Sequence, residues 1–343
     1  MSNLPLIAIT MGDPAGIGPE IIVDALTDRN ISAICRPFVI GDYEILYSMI
    51  NKFSHNVSLN IISKPSEAEG ILGLVDIIAV SRLDSRSNLA GRPTLEGGRA
   101  MVDYIISAVH LVEEGEAAAM VTCPISKVLM QKAGYDFEGH TQLISNLTGT
   151  SEYVMMLAGE RLRVALVTIH CALREVPEIL NSEMILRTIC ITGAALKKDF
   201  GIEKPRLAVA ALNPHAGEEG LFGSEENEII LPAVHKARAK GLILEGPLAP
   251  DTIFYKAAMG KFDAVVAMYH DQGLIPLKLL HFSDAVNVTL GLPIIRTSVD
   301  HGTAYDIAGK GKANSSSLKS AIRMAVEISK NRKKGKNYRT VWV

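Results

Sequence analysis

Three of the nine histidines follow short apolar runs that have the character of buried strands. These are His170 after 164–169, His215 after 207–214, and His270 after 264–269. In open α/β sheets, ligands bind at the carboxyl ends of the strands. Three imidazoles with an open coordination position suit a catalytic divalent metal such as Zn²⁺. The separations of 45 and 55 residues form no local metal motif, so structural histidines remain an alternative.

Further polar residues could bind an anion or a hydroxyl group. His140 and Thr141 follow Gly139 just before a helical stretch, 142–147. Their hydroxyl and ring could bind substrate, or Thr141 could simply cap the helix. Lys278, Asn287 and Arg296 lie on a predicted turn–strand–turn path. Lysine and arginine are the usual partners of carboxylate and phosphate, although each could also be an ordinary surface charge.

A glycine-rich turn lies near the start of the chain. Residues 12–20 read GDPAGIGPE, between a predicted strand and a predicted helix. The third glycine of a G-x-G-x-x-G fingerprint is missing, so an ordinary Rossmann nucleotide site is not expected. Backbone N–H groups here could hold an anion, or the segment could be only a tight turn. The residues leave both interpretations open.

The elements that must position these residues alternate along the chain. Apolar runs predict strands, and longer periodic segments predict helices. The predicted strands are 6–10, 38–41, 118–122, 164–168, 207–212, 264–268 and 286–290, and the predicted helices are 19–28, 97–114, 182–199 and 226–240. This alternation predicts an α/β protein with a mostly parallel sheet.

Composition limits the class of protein. A chain of 343 residues predicts two domains. The net charge of −2 argues against a dedicated nucleic-acid binder, and there is no apolar run long enough to span a membrane. We see no secretory signal, and the four cysteines are scattered, as in reduced thiols. We therefore expect a cytoplasmic enzyme with no membrane or nucleic-acid partner.

One loop gives the most specific signal. Residues 301–314 read HGTAYDIAGKGKAN, rich in glycine and polar residues. The loop resembles the cofactor loop of the β-hydroxyacid oxidative decarboxylases, such as 3-isopropylmalate dehydrogenase. That resemblance implies that Asp306 accepts hydrogen bonds from the adenosine ribose of NAD, and that Asn314 contacts adenine. Gly302 belongs to the same implied cofactor site. A carboxylate at Asp306 would repel a 2′-phosphate, which implies NAD over NADP.

Several segments together resemble the 4-hydroxythreonine-4-phosphate dehydrogenase family of vitamin B6 biosynthesis. The matching segments are 10–20, 139–141, 212–218, 269–274 and 287–309. The resemblance implies that the three strand-end histidines bind one divalent metal, Zn²⁺, Mg²⁺ or Co²⁺. It implies substrate contacts from His140, Thr141, Lys278, Asn287 and Arg296, with Asp251 a further candidate. It also implies a homodimer whose active sites draw residues from both subunits.

The family implies a fold and a reaction. The fold is a two-domain α/β/α sandwich that resembles the isocitrate/isopropylmalate dehydrogenase fold. The expected cofactor-side domain takes 1–130 and 290–343, and the expected substrate, metal and dimerisation domain takes 131–289. The implied reaction is NAD-dependent oxidation and decarboxylation of 4-phosphohydroxy-L-threonine to 3-amino-2-oxopropyl phosphate and CO₂. No residue is assigned as general base.

Two departures from the family pattern concern the substrate. Gln142 stands where an acidic residue is expected, and 279–286 replaces a glycine-rich stretch. D-threonate or D-erythronate 4-phosphate is therefore an alternative substrate, followed by a carboxylated cis-dihydrodiol. Two further alternatives are a phosphate acyltransferase, which needs neither NAD nor a three-histidine metal, and a non-catalytic homologue.

Overall fold

The computed structural model describes residues 4–53, 56–84 and 89–335. These residues divide into two compact units. The first unit is Met1–Ser151 with Leu292–Lys330, and the second is Glu152–Gly291 with Asn331–Val343. Each unit has a six-stranded sheet with helices packed on it, which confirms the predicted α/β class.

The first unit has an entirely parallel sheet. Its strands are β1 (Leu6–Thr10), β2 (Arg36–Asp42), β3 (Ser58–Ile61), β4 (Leu74–Ser81), β5 (Ala119–Thr122) and β12 (Arg296–Val299). Their order is β3-β4-β2-β1-β5-β12. Strands β1 and β5 are buried along nearly their whole length, as expected of central strands in a parallel sheet.

Helices of the first unit connect and pack against these strands. They are α1 (Gly18–Leu26), α2 (Arg29–Ser32), α3 (Tyr43–Phe53), α4 (Leu95–Glu113), α5 (Lys127–Lys132), α6 (His140–Leu147) and α12 (Ser316–Gly335). The longest of the early helices, α4, begins where the Thr94 hydroxyl accepts the Gly97 N–H at 3.0 Å. Its buried face contacts β1, β2, β4 and β5.

The second unit has a mixed sheet. Its strands are β6 (Val154–Ala158), β7 (Arg163–Leu166), β8 (Arg206–Ala210), β9 (Ile243–Leu248), β10 (Ala264–Ala267) and β11 (Val286–Leu290). Their order is β11-β6-β7-β10-β8-β9. The pairs β11–β6 and β6–β7 are antiparallel, whereas β7, β10, β8 and β9 are parallel.

Five helices belong to the second unit. They are α7 (Val176–Ile179), α8 (Ser182–Lys198), α9 (Leu231–Ala239), α10 (Pro250–Ala258) and α11 (His270–Leu280). A π-type turn, Glu226–Ile230, leads into α9. Within the described part of the chain, no single helix is apolar and long enough to span a membrane. One pair, Leu173–Ile179 with Ser182–Lys198, meets that criterion together but is bent by 95°.

The units differ from the expected domain limits at two places. Residues 131–151 lie in the first unit, because α5 and α6 pack against α4. Around the other limit, residues 290 and 291 and residues 331–335 lie with the second unit. There the Arg332 guanidinium bonds the Asp199 carboxylate at 2.6 Å, and the Asn331 amide donates to the Asp199 carbonyl.

Candidate active site

Two of the three strand-end histidines lie side by side in the second unit. His170 follows β7, and His270 is the first residue of α11, directly after β10. Because β7 and β10 are neighbouring parallel strands, the two ring centroids are 5.9 Å apart. Both rings are at least partly exposed. The structure therefore brings this pair to the carboxyl edge of the sheet, where ligands bind in α/β folds.

The neighbouring Asp271 orients the ring of His270. The His270 Nδ1 lies 2.7 Å from Asp271 Oδ1. A carboxylate can only accept, so Nδ1 donates the proton and Nε2 is available as a ligand. Metal-binding histidines are commonly oriented by a carboxylate in this way. Sequence reasoning did not single out Asp271, although its position directly after a candidate ligand is a usable signal.

His215 lies on an unusual segment, which we name the left-handed turn (residues 215–219). Its four non-glycine residues have φ between 43° and 57°. They are His215, Ala216, Glu218 and Glu219. This backbone region is unfavourable for residues with a Cβ, by about 1–2 kcal/mol each. The surrounding structure must therefore supply compensating contacts.

Glu226 supplies several of those contacts from the π-type turn. Its carboxylate is 2% exposed. Oε1 accepts the backbone N–H groups of Leu212 and Asn213, both at 2.8 Å. Oε2 accepts the Asn213 side-chain amide at 3.0 Å and lies close to Gly217. The buried carboxylate thus fixes the residues that lead into the left-handed turn, and its Oε2 lies beside the middle of it.

The histidines fit a metal by their chemistry, but one chain does not group all three. Within the described residues, no set of three or more His, Cys, Asp or Glu side chains is close enough to hold a metal. The structure brings His170 and His270 together, whereas the His215 ring lies 6.4 Å from Phe222. Imidazole nitrogens suit Zn²⁺ or Co²⁺ better than Mg²⁺.

His140 and Arg296 are buried near each other in the first unit. Arg296 is 3% exposed, and burial lowers its pKa to about 9. It donates to the Thr122 hydroxyl at 2.8 Å. The pKa of His140 is well below its usual range because of burial, with Arg296 and Lys127 adding to the effect. We name His140, Arg296 and Lys127 the cationic cluster.

Only one of the two ring nitrogens of His140 has a hydrogen-bond partner within the described residues. It is bonded to the backbone carbonyl of Cys123. Its Nε2 is shielded from solvent and has no hydrogen-bond partner within the described residues. A buried polar atom without a partner is uncommon, and a bound ligand is one way to satisfy it. Because Nδ1 of the neutral ring donates to that carbonyl, Nε2 is an acceptor and suits a hydroxyl of a ligand, whereas phosphate oxygens match the guanidinium of Arg296. Thr141 follows on α6, with its side chain partly buried.

Gln142, one of the two departures, has a local role. Its Oε1 accepts the backbone N–H of Glu138 at 2.6 Å. A glutamate side chain could accept the same bond. The departure at Gln142 is therefore compatible with an unchanged substrate.

The other candidate substrate residues lie in the second unit. Lys278 is partly buried in the last turn of α11, and Asn287 lies on β11. The Asn287 Oδ1 is buried and has no partner within the described chain. Asp251 is exposed in the first turn of α10, where a carboxylate stabilises the helix end. No hydrogen bond within the described residues joins Asp251 to another candidate.

The 301–314 loop leaves its key carboxylate accessible. Asp306 is exposed and makes no hydrogen bond with the described residues. Asn314 has a structural role as well, because its Oδ1 accepts the Ser316 N–H at the start of α12. A side chain at Gly302 would meet no atom within 4 Å. An exposed carboxylate on an ordered loop fits a ribose diol, which offers two hydroxyl donors.

The glycine-rich segment 12–20 is a tight turn rather than an anion site. The N–H groups of Asp13, Ala15, Gly16 and Ile17 all donate to acceptors of the protein itself. The Ile17 N–H bonds the Thr303 carbonyl at 3.0 Å. These groups are therefore not available to an anion, and the segment packs instead against the 301–314 loop.

The fold and these residues together define an α/β enzyme of two units with cation-rich and histidine-rich regions. A model of the family described as "Pyridoxal phosphate biosynthetic protein PdxA" matches residues 33–325. The chain belongs to this family.

Comparisons with individual proteins support the same family. A protein of Desulforapulum autotrophicum named 4-hydroxythreonine-4-phosphate dehydrogenase is 56% identical over 94% of this chain and 95% of its own length. The crystal structure of the Klebsiella pneumoniae protein of that name has a TM-score of 0.88 and 43% identity, covering 96% of this chain and 99% of that one. A Clostridium botulinum protein named "Putative D-threonate 4-phosphate dehydrogenase" is 39% identical, covering 97% of this chain and all of its own length.

Proposed function

We propose that this chain is a metal-dependent NAD oxidoreductase of pyridoxal phosphate synthesis. It oxidises and decarboxylates 4-phosphohydroxy-L-threonine to 3-amino-2-oxopropyl phosphate and CO₂. Family membership supports the reaction, since relatives 48–56% identical have the name of that enzyme. The observation that supports the substrate most directly is the cationic cluster, where the unpartnered Nε2 of His140 lies near a buried arginine.

In this proposal Arg296 and Lys127 bind the substrate phosphate with N–H donors, and Thr141 adds a hydroxyl. The free Nε2 of the neutral His140 ring accepts a hydrogen bond from a substrate hydroxyl. Lys278 and Asn287 bind the remaining polar groups of the substrate, with Asp251 as a further candidate. The buried Oδ1 of Asn287 can accept a bond from a substrate hydroxyl or amine. No general base is assigned.

The proposed cofactors are NAD and one divalent metal per active site. Asp306, Asn314 and Gly302 would hold NAD, which would supply the hydride acceptor. His170, His215 and His270 would hold the divalent ion, Zn²⁺, Mg²⁺ or Co²⁺, which would supply Lewis-acid polarisation of the reacting oxygens. The protein's own contribution is to orient those rings. Asp271 does so for His270, and Glu226 does so through the left-handed turn for His215.

A second copy of the chain is the proposed partner. Two observations support a homodimer with shared active sites. The described residues of one chain do not group the three histidines. In addition, α11 and Phe282, two residues after its end, expose large apolar side chains: Ile275 is 68% exposed, Leu279 85% and Phe282 84%. Apolar surface of this kind favours association. The same helix begins with His270 and holds Lys278 in its last turn.

The proposed location is the cytoplasm, where NAD and small phosphorylated metabolites occur. The four cysteines, Cys35, Cys123, Cys171 and Cys190, are all free thiols. Free thiols agree with a reducing compartment.

The alternative function is oxidation of D-threonate or D-erythronate 4-phosphate in a catabolic pathway. The name of the Clostridium botulinum relative favours it. These sugar acids keep the phosphate and the β-hydroxy acid, and they lack only the amine. The role of Gln142 in holding Glu138 removes one reason for preferring this alternative. A carboxylated cis-dihydrodiol lacks the phosphate that the cationic cluster fits.

The test compares substrates directly. Purified protein is assayed for NADH formation with Zn²⁺, Mg²⁺ or Co²⁺ on 4-phosphohydroxy-L-threonine and on both sugar-acid phosphates. A higher kcat/KM on the amino acid phosphate supports the proposal, and a clear preference for a sugar-acid phosphate selects the alternative. A phosphate acyltransferase would form no NADH, and its melting temperature would not rise with NAD.

A further inference from the structure

Two buried acidic side chains of segment 12–20 point into the 301–314 loop. Glu20, in the first turn of α1, is 7% exposed. Its Oε2 accepts the Gly309 N–H at 2.9 Å, and its Oε1 accepts the Ala313 N–H at 3.0 Å. Asp13 is fully buried and accepts the Tyr305 hydroxyl at 2.5 Å. Both carboxylates are thus used by a loop that is almost 300 residues away in sequence.

These contacts lie on both sides of Asp306. Thr303 and Tyr305 precede it, and Gly309 and Ala313 follow it. The Thr303 carbonyl accepts the Ile17 N–H, so segment 12–20 holds the loop at four positions. Asp306 itself remains exposed and makes no hydrogen bond with the described residues. Segment 12–20 therefore holds the loop on both sides of Asp306 and leaves the Asp306 side chain accessible.

Burial of the Asp13 and Glu20 carboxylates by itself costs free energy of folding. Burial raises the pKa of Asp13, even though the Tyr305 hydroxyl and the Ala15 N–H both bond to it. Buried carboxylates whose bonds go largely to one loop suggest that the shape of the loop matters. The loop is rich in glycine and has no regular secondary structure from His301 to Ser315, and its own backbone bonds, such as Ile307 N–H to the Ala304 carbonyl, are local.

We propose that Glu20 and Asp13 are positioning residues for the cofactor: they hold the 301–314 loop in the form that presents Asp306 to the adenosine ribose. This inference depends on the proposed function, because it assumes that the loop binds NAD. Neither carboxylate touches the cofactor. Their contribution is to order the loop before binding, so that its flexibility is not lost when NAD binds.

Glu20→Gln is the most direct test. It keeps the size of the side chain but places an amide NH₂ against a backbone N–H that needs an acceptor. Glu96→Gln is the matched control, since Glu96 is also in the first turn of a helix and is exposed. Each of the two substitutions, Glu20→Gln and Glu96→Gln, removes one negative charge. Loss of a negative charge would by itself favour the anionic cofactor, so weaker binding by Glu20→Gln cannot arise from charge.

Binding of NADH is measured by fluorescence titration without substrate or metal, and steady-state kinetics are measured in parallel. We expect Glu20→Gln to raise the Kd for NADH and the KM for NAD about tenfold, with kcat within about twofold of wild type. Hydrogen exchange of the Gly309 and Ala313 amides should accelerate. Glu96→Gln should match the wild type in all three measurements.

Three outcomes separate the possibilities. Faster amide exchange with unchanged NADH affinity would overturn the inference and leave Glu20 a purely structural residue. Absence of NADH binding by the wild type would instead contradict the proposed function. If Glu20→Gln fails to fold, Tyr305→Phe removes the bond to Asp13 together with the bonds of the same hydroxyl to Ser126 and Thr303. That variant should then weaken NADH binding by a smaller factor, and unchanged affinity would contradict the role of Asp13.

Discussion

The 301–314 loop and the left-handed turn both present a chemically active side chain, but they are held in different ways. The 301–314 loop takes its acceptors from Glu20 and Asp13, almost 300 residues earlier. The residues that lead into the left-handed turn, Leu212 and Asn213, take their acceptor from Glu226, only 13–14 residues later. The first has one non-glycine residue at positive φ, Ala304 at 43°, and none at Asp306, whereas the second has four, including His215 at 52°.

This difference indicates what each segment must do. An adenosine ribose is recognised by hydrogen bonds along an extended loop, for which long-range anchoring suffices. A metal ligand must place one nitrogen accurately, because ligand distances vary little. Backbone strain that a buried carboxylate over-determines gives such accuracy. We therefore expect changes at the left-handed turn to have larger effects than changes in the loop.

The largest effect should come from His215→Ala. Loss of a proposed metal ligand should lower kcat/KM about 1,000-fold and lower the bound metal content, because the metal supplies several kcal/mol of transition-state stabilisation. His215 is exposed, so the melting temperature should hardly change. His235→Ala, an exposed histidine on α9, is the control. Equal activity of the two variants would remove His215 from the metal centre.

Gly217→Ala tests the strain in the left-handed turn. A Cβ there would lie 2.7 Å from the Glu226 carboxylate, at a φ of 79°. Gly241→Ala is matched, since its φ is 84° but its Cβ would meet no atom within 4 Å. We expect urea denaturation to show a loss of about 1 kcal/mol in the free energy of unfolding for Gly241→Ala, and about 3 kcal/mol for Gly217→Ala. Similar losses would mean that the contact with Glu226 is unimportant.

Asp306→Asn tests the loop by itself. Replacing the carboxylate removes repulsion of a 2′-phosphate and weakens the bonds to the ribose. The ratio of kcat/KM for NAD to that for NADP should fall about tenfold, which corresponds to roughly 1.4 kcal/mol. Steady-state assays with both cofactors measure it. An unchanged ratio would show that the ribose lies elsewhere.

The smallest effect concerns the pH dependence of stability through His140. Its pKa in the folded protein is below the unfolded value, so the unfolded chain binds more protons as the pH falls. The free energy of unfolding is therefore retained above about pH 6.5 and decreases below it, by at most about 1.4 kcal/mol per pH unit. His140→Gln should show a shallower decrease in urea titrations between roughly pH 7 and 5. An unchanged slope would show that His140 is protonated in the folded state.

Sequence alone predicts the local features well. The apolar runs correctly predict strands β1, β5 and β10. The position of a histidine directly after such a run correctly predicts that His170 and His270 lie at the edge of the sheet. Both predictions succeed because they depend only on residues that are neighbours in sequence. Helix α11 was not predicted, since Pro276 lies inside it. The alternation of predicted strands and helices indicates the α/β class, but it does not determine the order of the strands in the sheet.

The supporting residues could not be predicted, for two physical reasons. Glu20 and Glu226 act through contacts that depend on the folded chain, and Glu20 is 289 residues from Gly309. The left-handed turn contains mainly residues that disfavour positive φ, so local preference indicates the wrong conformation. Asp271 is an exception, because its place beside His270 is visible in the sequence.

The central claim is that one active site couples hydride transfer to loss of a carboxylate. The most direct measurement is the stoichiometry of NADH and CO₂, with 4-phosphohydroxy-L-threonine labelled in its carboxyl group, in the presence of Zn²⁺ or Co²⁺. We expect one labelled CO₂ per NADH, with neither formed after the metal is chelated. NADH without labelled CO₂, or full activity in the chelator, would contradict it.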